Sequence, residues 1–70
     1  MKSHAQIKAL IDELEREMEL DPSKKDHHWA AIVTLCLALS NIHKPQSIIE
    51  ALPGANGVVK EVLLWVLSDI

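Results

Sequence analysis

The sequence predicts an all-α fold, a small four-helix domain that pairs with a second copy of itself. Apolar residues recur at helical spacing, and no segment shows the alternation of a strand. Helix-starting and helix-ending residues divide the chain at regular intervals. Apolar residues also make up 49% of only 70 residues, and so short a chain buries only roughly 60% of the surface its unfolded form exposes. One domain spanning residues 1–70 is therefore expected, with no material for a second core. A single cysteine, Cys36, cannot form an internal disulfide, and no Cys/His pair has zinc spacing. Self-association is the common remedy that remains.

The first helix is expected from about residue 4 to 20. Ser3 with Gln6 three residues on forms a capping box, and Ile7, Leu10, Ile11, Leu14 and Met18 then fall on one stripe. Asp21-Pro22-Ser23 breaks this helix. Asp21, or Ser23 with Asp26 three on, can cap a second helix from about 24 to 42, which Pro22 in the first turn also favours. His43-Lys44-Pro45 closes that helix, and Pro45 then opens a short third one, PQSIIEAL, that stops at Pro53-Gly54. Asn56 is suited to cap a last helix running to the C-terminus.

Residues 48 to 63, IIEALPGANGVVKEVL, carry a resemblance to the helix-turn-helix domains of small transcriptional regulators. Ile48 falls on the first apolar position of that pattern, Leu52 on its Leu, Val59 on its Val and Leu63 on its last Leu. The resemblance implies two short helices pinned at a steep angle on a third, giving a helix-turn-helix-like C-terminal half. This chain departs from the pattern in three places: Ile49 replaces a small residue, Pro53-Gly54 replaces Gly-apolar in the turn, and Val58 stands where a phosphate-contacting Thr is typical. The hairpin wing of winged-helix proteins is not expected.

Charge then weighs on function. Seven Lys and Arg against ten Asp and Glu give a net charge of −3, so no global field draws the chain to nucleic acid or an anionic membrane. On the last helix Gly57, Lys60, Glu61, Leu64 and Ser68 share the arc that would enter a major groove, and it holds one cation, one anion and a leucine. Base readout and phosphate contact need more than that. Asn56, Lys60 and Lys44 are the residues that a DNA-binding regulator, the alternative function, would use.

The apolar arcs favour a protein partner instead. The last helix has an arc about 200° wide where one lying on a single core needs about half. The second helix spans about 220° through Trp29, Ile32, Val33, Leu35, Cys36, Leu37, Leu39 and Ile42, with small residues filling the rest. The second helix is accordingly expected as a central post wrapped by the others, with Trp29 in the core. The last helix is left with a spare face, Val58, Val62, Leu64 and Trp65, as the dimer or partner interface, with Trp65 its anchor. On the first helix Asp12, Glu15 and Glu19 form an acidic strip able to meet a basic partner surface.

The remaining polar residues are assigned to solvent or core. Lys24, Lys25, His27 and His28 cluster at the opening of the second helix and are expected in water. His27 and His28 diverge by about 100° on a helix, with no third ligand at hand, so no metal site is expected. Cys36, amid apolar residues with no basic neighbour, is expected as an inert core thiol. No nucleophile–base pair, phosphate-cradling loop or carboxylate pair can be assembled, so no enzyme and no cofactor are expected. WAAIVTLCLAL, residues 29 to 39, is too short to cross a bilayer, and MKSHAQIKALIDELERE is acidic and amphipathic, unlike a signal peptide. The expectation is a cytoplasmic, non-enzymatic regulatory protein, plausible as an anti-activator or inhibitor of a regulator, acting as a homodimer on a protein partner.

Overall fold

A computed structural model of the chain describes residues 1–68, and among these there are four α-helices and no strand. Helix α1, His4–Leu20, begins as the capping box requires. The Gln6 N–H donates to Ser3 Oγ at 3.2 Å, and the Ser3 N–H donates to Gln6 Oε1 at 2.9 Å. Two of the four N–H groups that a helix leaves orphaned at its start are thereby satisfied. Ile7 and Ile11 of the apolar stripe are buried, and Leu10, Leu14 and Met18 pack partly buried beside them.

Asp21 ends α1 and shapes the link to the next helix. Its N–H donates to the Glu17 carbonyl at 2.9 Å. Its Oδ1 accepts from the Ser23 N–H at 3.2 Å and from Ser23 Oγ at 2.6 Å, holding Pro22–Lys24 as a 3-10 turn. Both candidate caps are thus used on this turn, and α2, Lys25–Ser40, starts beyond it without a side-chain cap.

Helix α2 packs against α1 on one side and against helix α4, Gly57–Leu67, on the other. Its Ile32, Leu35 and Ala38 join Ile7, Ile11, Ile48, Leu63 and Val66 in the core. The expected central post is corrected here, because α2 is covered on only part of its circumference. Helix α3, Pro45–Ala51, has seven residues and lies against α4, so no third helix is left to close over the outside of α2. Trp29 stands 58% exposed there, not in the core as expected, and Cys36 is an exposed thiol rather than a core one. Polar side chains on α2 and at its C-cap turn back to the helix: Thr34 Oγ1 donates to the Ala30 carbonyl at 2.8 Å, and Nδ2 of the C-cap residue Asn41 to the Leu37 carbonyl at 2.9 Å.

A second 3-10 turn, Leu52–Gly54, separates α3 from α4. Asn56 occupies the N-cap position of α4, but its side chain makes no capping hydrogen bond. The entry to α4 depends instead on Gly57, whose φ of +57° is in the left-handed region that a Cβ disfavours. The last helix was expected to run to the C-terminus; it ends at Leu67, and residues 69–70 lie outside the described residues.

Candidate protein-binding surface

On an α-helix each residue advances about 100°, so Trp29, Val33, Cys36, Leu37 and Ser40 fall within an arc of about 100° on one side of α2. That side faces solvent along its length. Trp29, Val33 and Leu37 are 58%, 50% and 56% exposed, and Cys36 and Ser40 are exposed between and beyond them. The stripe from Trp29 to Leu37 runs for about 12 Å along the helix. Its residue types are those of a core, yet no other part of the described chain covers it.

The α1 edge of this stripe opens into a cleft of about 450 Å³. Glu15, Met18 and Glu19 line it from α1, Pro22 from the turn, and Lys25, Trp29 and Ile32 from α2. Two members of the predicted acidic strip, Glu15 and Glu19, thereby share a cleft with Trp29, while Asp12 is exposed one turn earlier on α1 and outside the cleft lining. Neither Glu15 nor Glu19 has a cation within 4.0 Å among the described residues, although Lys25 shares the cleft.

The predicted face on α4 divides in two. Leu64 is 49% exposed, with Gly57, Lys60 and Glu61 also exposed and Ser68 half-buried, so the polar arc is phased as the sequence indicates. Val58, Val62 and Trp65 are half-buried, and the last two pack against the core. Trp65 is also overlaid by Lys2, a contact that no periodic signal in the sequence marks. The Lys2 N–H donates to the Val66 carbonyl at 2.7 Å, its Nζ donates to the Ser68 carbonyl at 3.2 Å, and Nζ sits 5.0 Å from the centre of the indole ring. Lys2 is itself only 6% exposed. A cation over an aromatic face keeps favourable electrostatics while its methylenes shield apolar surface.

The residues of the DNA alternative, Asn56, Lys60 and Lys44, are all exposed. Of the four positions carrying the helix-turn-helix resemblance, Ile48 and Leu63 are buried, Leu52 is half-buried and Val59 is 37% exposed.

The basic cluster at the start of α2 is only partly in water. Lys24, Lys25 and His27 are exposed, but His28 is buried, with Nε2 3.3 Å from Glu17 Oε1 and Nδ1 without a hydrogen-bond partner. Its ring lies 5.7 Å from that of His27 at an interplanar angle of 55°. Solvent exposure of His28 is therefore corrected, because α1 brings Glu17 and its neighbours over it. Among the described residues no three His, Cys, Asp or Glu side chains group to hold a metal ion. The Asp21 carboxyl is held below its ordinary value by the Ser23 hydroxyl hydrogen bond and next by the Ser23 N–H. No helix among the described residues is long and apolar enough to cross a membrane. No protein-family model, no curated protein and no solved structure matches the chain.

Proposed function

We propose that the domain is a non-enzymatic regulatory protein that acts by binding other proteins, with the outer face of α2 as its principal contact surface. The observation that carries this reading is the solvent-facing stripe of Trp29, Val33 and Leu37. Large apolar side chains grouped at helical spacing on an exposed face mark interaction sites more often than plain surface. A second copy of the chain is the first partner, since covering this stripe supplies the burial that so small a core lacks. Leu64 offers a second, smaller anchor on α4, and the acidic strip Asp12, Glu15 and Glu19 suits a partner with a basic surface, as an inhibitor or anti-activator of a regulator would require.

Sedimentation equilibrium tests the self-association. At micromolar concentration the expected mass is twice the 7.8 kDa of the chain, with a thermal midpoint that rises with protein concentration. A single 7.8 kDa species at every concentration would remove the homodimer.

A DNA-binding regulator is the second reading, favoured by one observation: the Asn56 side chain forms no cap and stands exposed near Lys60 in sequence. Against it stands the net charge of −3. Fluorescence anisotropy with a labelled random duplex is expected to show no binding tighter than about 100 μM at physiological salt. Submicromolar binding with a steep salt slope would reverse the order of the two readings.

A further inference from the structure

We infer that the cleft between α1 and α2 receives an arginine side chain from a protein partner, a step that rests on the protein-binding reading and specifies its chemistry. The cleft has three kinds of wall. Met18, Pro22 and Ile32 give apolar lining, Trp29 an aromatic ring, and Glu15 and Glu19 a pair of carboxylates one helical turn apart on α1. A ligand that satisfies all three has an aliphatic stem, a planar end that stacks on an indole, and a positive charge with several donors. The arginine side chain has each of these. Its three methylenes lie against the apolar lining, its guanidinium stacks on Trp29, and its fork of five N–H donors reaches two acceptors at once.

Other occupants fit less of the site. A purely apolar side chain would cover the apolar lining but leave Glu15 and Glu19 losing water with nothing in return. An anion meets two carboxylates. A lysine supplies charge but not the planar face, and its ammonium is more strongly hydrated. The carboxylates have no cation within 4.0 Å among the described residues, so the arriving guanidinium displaces no existing ion pair. Lys25 opposes the guanidinium by like charge, and it leaves the cleft with a surplus of one negative charge. The volume of about 450 Å³ exceeds one side chain and admits the backbone that carries it. A partner segment lying along the α2 stripe would thus place its basic residue at the Trp29 end.

The test is a nuclear magnetic resonance titration of the 15N-labelled chain carrying Leu37→Glu. That substitution breaks the stripe away from the cleft and keeps a second copy from competing for Trp29. The probes are the capped tripeptide acetyl-Gly-Arg-Gly-amide and its counterpart with citrulline, which has nearly the same shape without the charge. The arginine peptide should move the Trp29 indole N–H resonance and bind about tenfold tighter than the citrulline peptide. Glu15→Gln together with Glu19→Gln should reduce arginine binding to the citrulline level, and Lys25→Met should strengthen it about threefold. Equal affinity for the two peptides, unchanged binding in the double Gln variant, or shifts confined to residues outside the cleft would overturn the assignment. Sedimentation of the unsubstituted chain judges the α2 surface separately, so a dimer with a silent peptide titration removes the arginine site alone.

Discussion

Replacing Leu37 by Ala is the sharpest probe of the α2 face, because its two consequences are separated by exposure. In the single chain Leu37 is 56% exposed, so truncation removes little buried surface and should change folding stability by less than about 1 kcal/mol. In a symmetric pair the same residue occurs on both sides of the interface. Fully burying a leucine contributes about 1.5–3 kcal/mol, and the 56% still open to water corresponds to about 0.8–1.7 kcal/mol per side. Counted on both sides this is about 1.7–3.4 kcal/mol, which weakens the dimer roughly 15- to 300-fold. Sedimentation equilibrium across a hundredfold concentration range, paired with urea unfolding of the same samples, measures both quantities. A dissociation constant unchanged from the parent would refute placement of the interface on α2. A loss of several kcal/mol in the monomer would refute the exposure on which the calculation rests.

Three further expectations bear on other parts of the molecule. Leu64→Glu should alter stability by less than about 1 kcal/mol yet weaken a partner that docks on α4 by about 2 kcal/mol or more, with Lys60→Ala costing far less; calorimetry that finds Lys60→Ala the more damaging would point to DNA instead. Gly57→Ala imposes a left-handed cost of roughly 1–2 kcal/mol against about 0.4–1 kcal/mol regained from a stiffer unfolded chain, whereas Gly54→Ala, at a site without positive φ and with open space around it, keeps only the gain; the two urea midpoints should therefore move in opposite directions. The Asp21 carboxyl has a folded pKa below its ordinary 3.8, so its contribution is present above that value and is lost as pH falls through the folded pKa; as pH is lowered through this range the parent should lose more stability than Asp21→Asn, and parallel curves would show that the Ser23 hydrogen bonds do not matter to folding.

The sequence was most informative where a local signal had one interpretation. Ser3 and Gln6 specify the start of α1, and a narrow apolar stripe specifies its buried side, so Ile7 and Ile11 are found in the core. The polar arc of α4 was likewise legible, and Leu64 lies on it, exposed. Helix α2 offered no such contrast. With apolar residues on most of its circumference, its pattern does not say which side is buried, and that choice is made by the number of neighbours available. Two long helices cover two sides, and Trp29 and Cys36 are left outside. The cleft combines residues from two helices and a turn, so no single stretch announces it, although the acidic half was visible in Glu15 and Glu19. Lys2 left no periodic trace at all.

The contacts of Lys2 have a kinetic side. They join the segment ahead of α1 to the end of α4, across a separation of 66 residues. Made first, on an otherwise open chain, a loop of that size would cost about 4 kcal/mol of closure entropy. Made last, after α2 has brought α1 and α4 to its two sides, the same contacts span a gap already narrowed by packed helices. The Lys2 contacts are thus expected to form late in folding, so substitutions there should speed unfolding while leaving the folding rate nearly unchanged, and stopped-flow kinetics showing slowed folding instead would refute this. The buried cation over Trp65 then acts as a latch whose strength is read in the lifetime of the native state.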